Sequence, residues 1–163
     1  MICFFEYHLK MVSLLSIKFR LLLASVFAAV LSSCGADTFD KAIAFEKAGK
    51  VNEAILLLEP LAANGDEHAQ VKLMSIYLNG SGVVRDRDKA EKYAVACATG
   101  KKANYRCAEI VALIHWVGFG GPVDIRKASA WLDQAIKLGS PNAQKYKKDL
   151  RNGKPPEDSQ LNA

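Results

Sequence analysis

Beyond residue 38, small and apolar residues recur three or four positions apart along most of the chain. That spacing lines side chains along one face of an α-helix. Ala69, Leu73 and Tyr77 make one such line, Ala90, Tyr93 and Cys97 another, and Ala128, Trp131 and Ala135 a third. Turn residues separate the lines. Gly80 and Gly82 are suited to ending a helix and reversing the chain, and Asp86 and Asp124 stand where a short carboxylate caps the amides of the next helix. Each unit therefore reads as a helical hairpin, and the predicted fold is all-α.

The hairpins are copies of one another. Ala69, Leu73, Tyr77, Gly80, Gly82, Asp86, Lys89, Ala90 and Tyr93 recur 38 positions later as Cys107, Val111, His115, Gly118, Gly120, Asp124, Lys127, Ala128 and Trp131. A fixed period of this length points to a helical repeat array, in which neighbours stack to bury a shared core. Such an array favours binding over catalysis.

The run of an alanine, a leucine and a tyrosine followed by Gly80-Ser81-Gly82-Val83-Val84-Arg85-Asp86-Arg87-Asp88-Lys89-Ala90 resembles the Sel1-like repeat, a relative of the tetratricopeptide repeat. The copy over 69–100 matches nearly every family position. In the second copy Cys107 replaces the usual alanine, His115 replaces the usual tyrosine and Gly121-Pro122 rewrites the turn, while the Asp-x-x-Lys-Ala-x-x-Trp core over 124–131 is intact. A degenerate earlier copy shows at Glu53, Ala54, Leu57 and Gly65, preceded by a helix over 39–48, and looks more tetratricopeptide-like. The resemblance implies a short α/α solenoid: a tetratricopeptide-like hairpin over 38–66, Sel1-like repeats over 67–103 and 104–139, and a capping helix over 140–153. Ser140-Pro141 supplies a helix-start signature for that last helix, and residues 154–163, with Pro155-Pro156, are expected to form a disordered tail.

In this family the first helices of successive hairpins line a concave face, so partner-binding candidates lie where the repeat leaves those helices free. They are Lys72, Ser75 and Asn79, matched 38 positions on by Ile110, Leu113 and Val117. Trp116 and its counterpart Leu78 hold a position usually polar in the family. Trp116 reads either as a partner anchor, since tryptophan is enriched in binding hot spots, or as a side chain packed beneath the capping helix or the Gly120-Gly121 turn. The resemblance implies a protein or peptide partner.

The amino end carries a different signal. Lys18 and Arg20 precede a thirteen-residue, largely apolar run over 21–33 that leads into Leu31-Ser32-Ser33-Cys34. The run is shorter than the roughly 20 residues that span a bilayer, and a basic flank before a short apolar core is signal-peptide grammar. Leu-Ser-Ser-Cys resembles a bacterial lipobox, which implies cleavage after residue 33, lipid modification of Cys34, and attachment to a membrane through that anchor with 34–37 as a short tether. Gly35, rather than an aspartate, favours an outer-membrane, periplasm-facing location. Residues 1–10 fit none of this grammar, and Met11 is the alternative start.

Charge adds little. The chain carries a formal +5, and removing Lys10, Lys18, Arg20 and Glu6 with the leader leaves +3. Acidic residues are interleaved with basic ones and no nucleic-acid motif is present, so nucleic acid is not an expected partner. Lys145, Lys147, Lys148 and Arg151 form the one local basic cluster, read as a solvated helix face.

Of the four cysteines, Cys3 and Cys34 belong to the amino end. Cys97 and Cys107 flank the Gly100 turn in a compartment where disulfides persist. A bridge between them, resembling those of cysteine-rich Sel1-like hairpins, is the expectation; two buried free thiols are the alternative.

Catalytic signatures are sparse. Beyond the leader the histidines are His68 and His115, with no metal-binding spacing, no Ser-x-x-Lys and no Gly-x-Ser-x-Gly. His115 reads as a core histidine, and Gly118-Phe119-Gly120-Gly121 as an inter-helix turn rather than a phosphate cradle. No cofactor or metal is implied. The reading is a non-catalytic binding module of the bacterial envelope, an adaptor or accessory subunit. The alternatives are a periplasmic immunity protein that binds a delivered toxin and, by family analogy alone, an envelope hydrolase or β-lactam-binding enzyme.

Overall fold

The computed structural model describes residues 36–156. Among these residues the secondary structure is α-helical, with no strand. A first helix, α1, is described over 36–47. It is followed by α2 (Val51–Ala63), α3 (Glu67–Asn79), α4 (Arg87–Thr99), α5 (Tyr105–Val117), α6 (Ile125–Lys137) and the shorter α7 (Ala143–Arg151). Helices α2 to α6 are each 13 residues long, about 20 Å at 1.5 Å per residue. Equal lengths let consecutive hairpins stack in register, and each helix from α2 onward packs on its neighbours in chain order.

Local chemistry sets the helix ends. Side-chain oxygens of Asp66, Asp86 and Asp124 accept from the amides of Ala69, Lys89 and Lys127 at 2.9–3.0 Å, and Asn104 accepts from Arg106 at 2.8 Å. At the other ends of α3 and α5, Gly80 and Gly118 sit in the left-handed region, φ 69° and 67°, where a residue with a Cβ is strained. The caps at Asp86 and Asp124 and the two terminating glycines stand where the repeat pattern puts them; Asp66 and Asn104, which that pattern did not include, obey the same 38-residue offset.

The second glycine of each turn has a packing role. A Cβ on Gly82 would come within 2.4 Å of Val51 Cγ2, and one on Gly120 within 3.1 Å of Arg87 Cβ. Val51 opens α2 and Arg87 opens α4. Each turn thus lies against the first residue of the preceding hairpin's second helix, and that close approach joins one hairpin to the next.

The buried interior runs along the stack. Leu58, Leu73, Ile76, Val111, Ile114 and Leu132 are enclosed, with alanines between them where helices approach closely. Towards the carboxyl end one cluster joins Cys97, Cys107, Ala112, Trp116, Leu132 and Ala135 to Ala143 and Leu150 of α7. The capping helix therefore seals the last apolar face. Its serine differs in register from the sequence expectation. The Ser140 hydroxyl accepts from the amides of Asn142 and Ala143 at 3.1 and 3.0 Å, but regular helix starts only at Ala143, because residues 141–142 form a bend.

Helix α1 is already formed at residue 36, so the last two residues of the expected 34–37 tether are helical. The expected leader, Cys34 and most of the expected disordered tail lie outside the described residues. No described helix is long and apolar enough to cross a membrane.

Candidate functional site

Lys72, Ser75 and Asn79 fall at i, i+3 and i+7 on α3 and so share one face of that helix. Lys72 and Ser75 are half-buried and Asn79 is exposed. Lys72 Nζ pairs with Glu46 Oε2 of α1 at 2.9 Å, and Asn79 Nδ2 donates to Ser75 Oγ at 3.2 Å. On α5 the equivalent Ile110, Leu113 and Val117 are half-buried, with Leu113 packed against the carboxyl-terminal cluster. Asn104, at the start of α5, donates to Glu67 Oε1, at the start of α3, at 2.6 Å. That bond ties the first turns of the two helices together.

Trp116 belongs to a different environment. It is 7% exposed and lies in the cluster shared with α6 and α7. Of its two readings, the packed one is the arrangement the structure has. The physical reason is periodicity. Trp116 follows His115 and Ile114, both buried, and residues of α6 and α7, among them Leu132 and Leu150, cover this additional position on the circumference of α5.

The junction between the two repeats holds two covalent and polar devices. Cys97 of α4 and Cys107 of α5 form a disulfide with a Cα–Cα distance of 5.9 Å across a separation of 10 residues. Both cysteines are buried, at 2% and 1% exposure, in positions where the expected pairing needed two helices to approach closely.

Buried beside this junction is His115, 2% exposed. Arg87 Nη2 lies 2.9 Å from its Nδ1, and Glu91 Oε1 lies 2.9 Å from its Nε2. A guanidinium only donates, so Nδ1 accepts and the ring proton sits on Nε2, from which it is donated to Glu91. Arg87 also reaches the following turn, where Nη1 donates to the Pro122 carbonyl at 3.5 Å. The sequence reading of His115 as a core histidine agrees with its burial. Its two polar partners were missed, because Arg87 and Glu91 occupy positions that the repeat leaves variable.

The first repeat solves the same position with aromatics. Tyr77 stacks on Tyr93 with ring centroids 6.1 Å apart and planes 7° from parallel. The Tyr93 hydroxyl donates to Glu59 at 3.5 Å. Burial, followed by the Glu59 carboxylate, pushes the Tyr93 phenol up to about 12. Gln70, with His115 one of two buried polar side chains among the described residues, donates to the Ala62 carbonyl at 3.0 Å and so satisfies the end of α2. At the surface, the Asp124 carboxyl is held below its ordinary range, chiefly by the Lys127 amide that it caps. Among the described residues no group of three or more His, Cys, Asp or Glu side chains is placed to hold a metal ion.

Comparison with known proteins agrees with this geometry. The Sel1 repeat family model matches residues 68–94 and 101–140. No curated protein matches. The crystal structure of a Sel1 repeat protein from Oxalobacter formigenes is similar with a TM-score of 0.58 at 18% identity, over 78% of this chain and 53% of that one. The chain thus spans about half the length of that solved protein, and the likeness is one of fold.

Proposed function

From a fold made of Sel1-like repeats, we propose a non-catalytic module that holds a protein or peptide partner on the face shared by α3 and α5. The observation that carries this reading is the contrast along that face. On α3 the half-buried Lys72 and Ser75 and the exposed Asn79 offer polar groups, on α5 the half-buried Ile110, Leu113 and Val117 offer apolar ones, and the Asn104–Glu67 bond holds the two helices together at one end. Polar groups that fix orientation next to apolar groups that lose water on contact are the usual makeup of a specific interface. The Lys72–Glu46 pair is half-exposed and exchanges for a partner's carboxylate at little cost, since exposed pairs are worth about 0–1 kcal/mol.

The module works at the bacterial envelope as an adaptor or accessory subunit, lipid-anchored through Cys34 and facing the periplasm. The buried Cys97–Cys107 bridge supports an oxidising compartment, and the leader and Leu-Ser-Ser-Cys motif support the anchor. Two experiments test the reading. Metabolic labelling with a fatty acid should mark the full chain and spare Cys34→Ser; equal labelling of both removes the anchor. Capture of one saturable envelope partner should weaken with Lys72→Glu or Ser75→Arg, and unchanged capture by both removes the α3 face.

A further inference from the structure

We propose that Arg87, His115 and Glu91 form a proton-sensitive latch, which holds the turn over residues 118–124 while His115 is neutral and releases it when the ring gains a proton. Nδ1 of His115 takes a hydrogen bond from Arg87 Nη2, which requires a free lone pair on that nitrogen. A proton delivered from solvent to Nδ1 turns the contact into two donors facing each other, both carrying positive charge. The bond is lost and the pair repels.

Arg87 has somewhere to go. Its Nε already lies 3.8 Å from Glu91 Oε2, so a small rotation completes that ion pair. The same rotation withdraws the guanidinium from the Pro122 carbonyl and from Gly121, where an added Cβ would lie 2.0 Å from Nη1. The glycines leave room for Arg87 against the turn, and its departure uncovers them. The charged groups around the ring are Arg87 and Glu91 from α4 and Asp124 from the turn, with Lys127 of α6 beyond Asp124. Glu91 keeps the protonated ring in place through Nε2. The change therefore falls on Arg87 and the turn rather than on the histidine.

The first repeat cannot work this way. Tyr77 stands at the equivalent position and stacks on Tyr93, so only the second turn is held through an imidazole whose protonation can release it.

The test is an NMR titration of the folded full-length chain from about pH 8 to 5. It follows the His115 ring, the Arg87 side-chain Nε and the Gly120 and Gly121 amides together. The latch predicts one common midpoint for all of them, with the protection of the turn amides, taken relative to their intrinsic exchange at each pH, falling about tenfold on the acid side, the size of one lost hydrogen bond. In His115→Gln, whose amide oxygen can accept from Arg87 but does not titrate, the acid response of Gly120 and Gly121 should vanish. A ring that titrates while Arg87 and the two glycines stay still overturns the proposal. So does a ring that remains neutral down to the pH of unfolding, and the wild-type titration decides both even where the variant does not fold.

Discussion

At the end of α3 Tyr77 lies flat against Tyr93, whereas at the end of α5 His115 takes the equivalent place and meets Arg87 and Glu91. The backbone around the two positions is the same. Asp86 N donates to Tyr77 O at 3.1 Å and Asp124 N to His115 O at 2.8 Å, each closing its turn. Gly80 and Gly118 end the helices in matching left-handed conformations. The repeat therefore dictates helix ends, turns and the volume at the junction, while the chemistry that fills that volume differs between copies. At this position one copy has an aromatic stack and the other a histidine held by Arg87 and Glu91.

The largest effect should come from the core of the second copy. Trp116→Ala removes a tryptophan enclosed by residues of α6 and α7 and should cost about 3–5 kcal/mol in urea denaturation. A stably folded Trp116→Ala that loses only its partner would show that the side chain anchors a ligand after all. Next comes the bridge that only the junction of the two repeats carries. Cys97→Ala with Cys107→Ala opens a loop of 10 residues and should cost about 2.7 kcal/mol in the chain-entropy account, read as a lower melting temperature that no longer responds to reductant.

A third change makes the copies alike. His115→Tyr restores the residue of the first repeat but leaves the guanidinium of Arg87 without its ring acceptor, and the expected loss is about 1–3 kcal/mol. If the variant matched or exceeded the wild type in stability, the polar network would be incidental to the junction.

The smallest effect is at the Asp124 cap. Its carboxyl is held below the ordinary range in the folded chain. Its contribution is therefore complete above the unfolded aspartate value and fades as pH falls through the lower folded value. Asp124→Asn keeps a capping oxygen and should flatten the acid limb of the stability curve. An unchanged limb would mean that the cap carries no charge-dependent part.

Much of this was legible from periodicity. The helices, the turn glycines, the caps at Asp86 and Asp124 and the position of His115 in the core all follow from a pattern whose physical cause is packing between identical units. The pairing of Cys97 with Cys107 rested on likeness to bridged hairpins, and the structure has it. Arg87 and Glu91 were not legible, because a residue at a variable position shows its role only when the next repeat folds over it. Trp116 was ambiguous for a related reason: a position usually polar in the repeat is covered here by the carboxyl-terminal cluster. Gln70 gave no signal at all, since its partner is a backbone carbonyl eight residues away.

The most direct test of the account is affinity capture from envelope extracts with the full chain as bait, run beside Lys72→Glu and Ser75→Arg on α3 and, as a control on another helix, Lys137→Glu on α6. The account predicts one dominant, saturable protein partner that is lost or weakened at least about tenfold, 1.4 kcal/mol in binding free energy, by the α3 substitutions and retained by the α6 one. A partner held equally by all three variants, or none that saturates, would contradict it.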